Sequence, residues 1–140
     1  MSPAERNQTG GIAQGTFEIE LRPAPPELGG RVGRFDFEKT FHGDIQGDGT
    51  GLMLSGGDPK TGEAGYVAIE MVHGRLADRH GSFALQQLGI MSAGSQTLHY
   101  EVVPGSGADG LVGITGTLQL TIEDDGTHRY RLAYELPDSR

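Results

Sequence analysis

The chain has 140 residues, no cysteine, and a net charge of −8 from 19 acidic against 11 basic residues. Without cysteine there is no disulfide framework, thiolate nucleophile or Cys-ligated metal. The acidic field, unbroken by any Lys/Arg cluster, argues against nucleic acid and anionic membranes as partners.

Residues 1–14, starting MSPAERNQTGG, are polar and glycine-rich and lack the basic start and apolar run of a signal peptide. They are expected to be a disordered leader. Asn7 in NQT is a glycosylation acceptor only in a secreted chain. TFEIEL alternates strictly, with Phe17, Ile19 and Leu21 on one face and Glu18 and Glu20 on the other, the period of a half-buried strand. RPAPPELGG interrupts it, because clustered prolines cannot sit in a ladder. RFDFEKTFHGDI alternates again through Phe35, Phe37, Lys39 and Phe41, with Asp36, Glu38, Thr40 and His42 opposite.

TGLMLSGG reads as a short strand before the turn DPKTGEAG. GYVAIEMVHGRL, GSFALQQLGIM, QTLHYEVVP, GTLQLTIE and HRYRLAYEL follow, separated by ADRHG, SAGS, PGSGADG and EDDGT, which carry turn chemistry. No stretch holds helical periodicity over three turns, and no apolar run is long enough to span a bilayer. Eight candidate strands with short connections predict an all-β fold, an eight-stranded antiparallel meander. Such a meander closes into a barrel, which removes its exposed edges. One barrel domain over residues 15–136 is expected, with 137–140 as a C-terminal tail, in a soluble, cytoplasmic protein.

FHGDIQGDGTGLMLSGG, GEAGYVAIEMVHGRLADRHGSFALQQLGIM, VVPGSGADGLVGITGTLQLTI and HRYRLAYEL together resemble a bacterial family of unknown function, domain family 3224. The resemblance runs from about Thr16 to Leu136. It implies an eight-stranded antiparallel barrel similar to allene oxide cyclase, usually in homo-oligomers, and no settled activity. In the family, SF-x-L-Q is commonly followed by His, where this chain has Gln87.

Several motifs reduce to local structure. GSGADG, Gly105 to Gly110, satisfies G-x-G-x-x-G, but the strand-like LVGITGTLQLTIE after it cannot supply the helix N-terminus that receives a pyrophosphate. It reads as a turn. GDIQGDGTG, with Asp44 and Asp48, lacks the alternating oxygens and closing Glu of a calcium loop. The histidines His42, His73, His80, His99 and His128 show no metal-ligand spacing, so no metal and no cofactor are expected. Ser106 has no base and orienter beside it, and G-x-S-x-G is absent.

Glu70 and His128 are the candidate catalytic groups. Along GYVAIEMVHG, Val67, Ile69 and Met71 share one face; Tyr66, Ala68 and Glu70 share the other. Pairing the apolar faces would bury Val67, Ile69 and Met71 with Phe83 and Leu85 and leave Glu70 outside with Gln86. Alternation separates two faces without saying which is inside. The small and aromatic residues around Glu70 favour a pocket lining or a subunit contact. Inside, an isolated carboxylate would have its pKa raised by desolvation and suit proton transfer. His128 lies in phase with Tyr130, Leu132 and Tyr134, either as a satisfied strand-end histidine or as a partner to Glu70. Tyr66, Gln86, Gln87, Tyr130 and Tyr134 are the candidate ligand-binding residues, the glutamines orienting a carbonyl or hydroxyl.

Apolar walls with a few convergent polar groups are the profile of a small-molecule site. The expectation is a cofactor-free acid–base enzyme of isomerase, cyclase or lyase type acting on an apolar small molecule. The alternative is a non-catalytic carrier or sequestering barrel. A homodimer or higher homo-oligomer is expected in either case.

Overall fold

The computed structural model of the chain describes residues 8–137. The strands are β1 (Gln8–Glu27), β2 (Val32–Gly43), β3 (Ile45–Asp58), β4 (Glu63–Leu76), β5 (Arg79–Ser92), β6 (Ser95–Val102), the two-residue β7 (Ala108–Asp109), β8 (Thr115–Ile122) and β9 (His128–Pro137). Neighbours pair antiparallel in the closed order β1-β2-β3-β4-β5-β6-β8-β9, with β9 returning to β1 and β7 attached to β5. The result is the expected eight-stranded meander barrel.

β1 begins earlier than the sequence suggests. Gln8 to Gln14 pair with Pro137 to Arg131 of β9, so the second half of the expected leader is strand, and residues 1–7 lie outside the described residues. The ladder that closes the barrel needs those residues, which explains why a polar, glycine-rich segment is extended. Pro137 ends β9, and residues 138–140 of the expected tail also lie outside the described residues.

Turn residues set the hairpins. Ala93 and Gly94 take positive φ between the paired Ser92 and Ser95, giving the two-residue connection that matches strand twist. At β3–β4, Asp58 accepts a hydrogen bond from the Lys60 amide at 3.0 Å, and Gly62 takes the left-handed conformation that ends the turn.

One end of the barrel is sealed. Ile45, Leu76, Leu111, Ile114, Leu132 and Leu136 pack there, all buried. The segment carrying GSGADG is the plug: Ser106 Oγ accepts from the Ala84 amide at 2.9 Å and donates to the Val103 carbonyl at 2.6 Å. The Tyr130 hydroxyl accepts from the Ile45 amide and donates to the His42 carbonyl, both at 2.8 Å, tying β9 to the β2–β3 corner.

The register also decides which face of β4 is inside. Glu70 stands opposite Gly51 and Leu85, and Ala68 opposite Met53 and Gln87, all facing the barrel interior. Val67, Ile69 and Met71 point outward, Val67 and Ile69 each 49% exposed. The pairing expected from hydrophobicity, which put them with Phe83 and Leu85, is reversed. Leu52, Leu54, Val67, Ile69 and Leu88 instead line an outer concavity of about 630 Å³.

Candidate functional site

The inner face of β3 carries Gly47, Gly49 and Gly51. A Cβ on Gly51 would stand 2.5 Å from the Phe37 ring and 2.7 Å from Glu70 Cβ; one on Gly49 would stand 2.8 Å from Glu70 Oε2. Absence of side chains here lets Phe37 and Glu70 lie across β3 from the strands on either side. Glu70 is thereby drawn into the middle of the barrel, 1% exposed.

It is not isolated. Lys39, on β2 in phase with Phe35, Phe37 and Phe41, is 4% exposed and donates to Glu70 Oε1 at 2.8 Å. The Tyr100 hydroxyl, reaching in from β6, donates to the same oxygen at 2.7 Å and accepts from Lys39 Nζ at 2.7 Å. One carboxylate oxygen, one ammonium and one phenol thus form a closed three-membered network. Aromatic rings surround the ammonium: its Nζ lies 4.4 Å from the Phe17 centroid, 5.2 Å from that of Tyr100 and 5.4 Å from that of Phe37, within cation–π range. Glu70 Oε2 is buried and has no hydrogen-bond partner.

Burial pulls the Lys39 pKa below its ordinary 10.5, with the Glu70 charge and hydrogen bond opposing the shift. Burial, reinforced by the Glu70 charge, pushes Tyr100 well above 10.0, so it remains a phenol donor at neutral pH.

Above this network the barrel is open. An inner cavity of about 150 Å³ is lined by Phe17, Phe37, Lys39, Tyr66, Gln87 and His128, among others. It shares Met53, Tyr66 and Leu120 with a wider mouth of about 480 Å³, whose wall includes Phe35, Ile90, Leu98 and Ile122. Lys39 therefore stands at the floor of an apolar well, with Glu70 and Tyr100 behind it.

The sequence-derived candidates divide across this arrangement. His128 lines the inner cavity and stacks on Phe17, ring centroids 5.1 Å apart, so it faces the same well as Lys39. The Tyr66 hydroxyl donates to Gln87 Oε1 at 2.9 Å, with its ring lying over Gly89; burial raises its pKa. Gln87 thus lines the well. Gln86 stands on the outer wall, opposite Ile69 and Glu101. Tyr130 is the corner clamp of the sealed half, and Tyr134 lies against the core, its ring in the notch left by Gly11. Neither takes part in the Lys39 network.

Sequence reasoning missed Lys39 and Tyr100. The signal for Lys39 was a single charge on the strictly aromatic face of β2; Tyr100 was marked only by its phase with Leu98 and Val102. Asp48 lies on β3, whereas Asp44 is the bend between β2 and β3, where its Oδ2 accepts from the Gln14 amide at 2.8 Å. Among the described residues no group of three or more His, Asp or Glu is placed to hold a metal ion. No helix among them is long and apolar enough to cross a membrane.

The chain belongs to the DUF3224 family of proteins of unknown function, whose model matches residues 13–134. A crystal structure of a family member of unknown function from Shewanella oneidensis MR-1 is 41% identical and superposes with a TM-score of 0.84. It covers 94% of this chain and 100% of its own. No curated protein matches.

Proposed function

We propose that this protein is a cofactor-independent barrel that takes an apolar small molecule through its open end and carries out acid–base chemistry on a polar group held at Lys39, of the isomerase or cyclase type. The observation that carries the reading is the position of the Lys39–Glu70–Tyr100 network at the floor of an apolar well. Buried ionisable groups with shifted pKa values beside a cavity are the usual signature of a site. Lys39 or Tyr100 would donate to a developing oxyanion, and the Glu70 carboxylate, with Oε2 uncommitted, would accept a proton. His128 and Gln87 would orient the ligand from the opposite wall. The likeness to allene oxide cyclase suggested by the sequence fits chemistry that needs a shaped dry cavity and few proton-handling groups.

A carrier reading has one observation in its favour: Lys39 Nζ, Glu70 Oε1 and the Tyr100 hydroxyl hydrogen-bond one another, as a structural network would. The two readings separate on a measurement that needs no known substrate. Binding of N-phenyl-1-naphthylamine is followed by fluorescence, and apolar ketones and enones are screened for displacement. Those that displace it are then incubated with protein in D2O and followed by proton NMR. Deuterium uptake at carbon next to the carbonyl, lost in Glu70→Gln, supports the enzyme. Displacement without exchange makes the protein a carrier, and absence of any displacement removes the small-molecule reading.

The same proposal extends to assembly. The outer wall of β3–β5, with Leu52, Leu54, Val67, Ile69 and Leu88, presents an apolar face bordered by Gln86, His99 and Glu101 on a chain of net charge −8. A second copy of the chain would bury this face, giving a dimer about a two-fold axis.

A further inference from the structure

We propose that Lys39 is an imine-forming lysine and that the ligand class of the well is an apolar aldehyde or ketone, whose carbonyl carbon bonds to Lys39 Nζ. The inference rests on the reading of the open well as a small-molecule site and goes beyond it by naming the ligand class and the covalent atom.

Two features of the site point there. First, the amine lies where a ligand can reach it. Nζ is tetrahedral, and two of its hydrogen positions are taken by Glu70 Oε1 and the Tyr100 hydroxyl. The third is left without a hydrogen-bond partner among the described residues, and the Phe17 ring, 4.4 Å from Nζ, lines the inner cavity together with Lys39. A flat, apolar carbonyl compound would lie among these rings, excluded from water.

Second, the charges of the site are the same before and after the step. The Glu70 carboxylate takes one proton from the Lys39 ammonium, leaving a free amine and a carboxylic acid. The nitrogen lone pair then forms a bond to the carbonyl carbon as the C–O π bond breaks. One proton passes from nitrogen to oxygen, relayed by the Tyr100 hydroxyl, to give a neutral carbinolamine. The Glu70 acid protonates the hydroxyl, the C–O bond breaks, and one water leaves. What remains is an iminium beside a carboxylate, an ion pair of the same sign and place as the ammonium–carboxylate pair it replaced. No charge is left uncompensated in the low-dielectric interior, so the Glu70 counter-ion stabilises the adduct as it did the free lysine. Desolvation, which favours the neutral amine, assists the first step.

The sequence keeps the mapping simple, since the lysines of the chain are Lys39 and the exposed Lys60, and the N-terminal amine is resolved from both by the peptide map. The full chain is incubated with 2-naphthaldehyde and sodium cyanoborohydride, and the adduct is located by peptide mass mapping. Binding of 2-naphthylmethanol, which has no carbonyl, is measured in parallel by naphthyl fluorescence. We expect a naphthylmethyl group on Lys39 in preference to Lys60, lost in Lys39→Arg. Tyr100→Phe should slow the trapping at Lys39 by about a hundredfold, the lower end of what a positioned acid–base group contributes. Because the mapping is done on the unaltered protein, the result stands even where a variant fails to fold. If the alcohol binds while the aldehyde is trapped only on amines other than Lys39, or nowhere, the imine inference is overturned and the small-molecule site survives. If neither compound binds, both fall together.

Discussion

The two halves of the barrel share the same strands and differ in what fills them. Towards the plug, the inward positions carry mainly buried Leu, Ile, Val and Phe, and the Tyr130 and Ser106 hydroxyls are used on backbone atoms. Towards the mouth, the strands continue past the core with Phe35, Met53, Tyr66, Leu120 and His128 around empty space. The ion pair sits at the boundary. A sealed half supplies the stability on which an underfilled half depends, and a charged network at the junction is held rigidly from below and reached from above.

The largest effect should come from breaking the junction. Replacing Glu70 by Leu leaves the Lys39 ammonium buried without a counter-charge, and such half-pairs cost about 3–5 kcal/mol. The double variant Lys39→Met/Glu70→Leu removes both charges and should recover to within about 1 kcal/mol of the parent. Urea unfolding of the two single and one double variant measures this. A Glu70→Leu chain as stable as the parent would mean that the network is not an ion pair in solution.

Next in size is the contrast between the two fillings. Leu132, fully buried in the sealed half, should lose about 3 kcal/mol on truncation to Ala, since the cavity cannot collapse. Met53 at the mouth already borders a void, so Met53→Ala should lose about 1 kcal/mol. Equal losses at the two positions would erase the distinction between the halves. Tyr130→Phe leaves the Ile45 amide without its acceptor and should cost about 1–2 kcal/mol in thermal unfolding, with no effect on ligand binding at the mouth.

Assembly tests the outside of the same wall. Ile69→Glu places a carboxylate in the apolar face of β4 and should turn a dimer into a monomer by light scattering at micromolar concentration, without loss of fold. A parent chain that is monomeric in that range would leave the face without the second copy proposed for it.

Much of this architecture was legible. Strict alternation at 17–21, 34–41, 66–72 and 128–134, punctuated by turn residues, was enough for a closed meander. The site was legible only in part, for a physical reason. Alternation separates two faces, and hydrophobicity then assigns the inner one, but on β4 the apolar set Val67, Ile69 and Met71 is outside and the carboxylate is inside. What inverted the rule is distributed along the chain: glycines on β3 that make room for Glu70, and a lysine 31 residues away that neutralises it. The lysine stood in view among three phenylalanines of β2. Reading it as a buried cation required knowing that β2 and β4 both face it across one lumen, which is a property of the register.

The smallest expected effect is a pH dependence, and it isolates Lys39 from everything else in the molecule. Glu70 faces the amine from β4, Tyr100 from β6 and His128 across the well from β9. The folded state holds the Lys39 pKa below 10.5, the value expected once the chain unfolds. Between the folded pKa and 10.5, the unfolded chain therefore binds more protons at this position than the folded one, and stability rises with pH. The penalty is present in full below the folded pKa and is gone above 10.5. Tyr100 acts in the opposite sense: its folded pKa lies well above 10.0, so above pH 10 the folded chain keeps a proton that the unfolded chain loses, and stability falls. Tyr66 and Tyr130, also raised by burial, add to that fall. The two slopes should meet in a maximum on the alkaline side, seen as the urea midpoint followed from pH 7 to 11. Lys39→Met should flatten the rising limb and leave the falling one, whereas Tyr100→Phe should weaken the falling limb. A rising limb that persists unchanged in Lys39→Met would assign it to another group, and the lysine at the floor of the well would then titrate as an ordinary one.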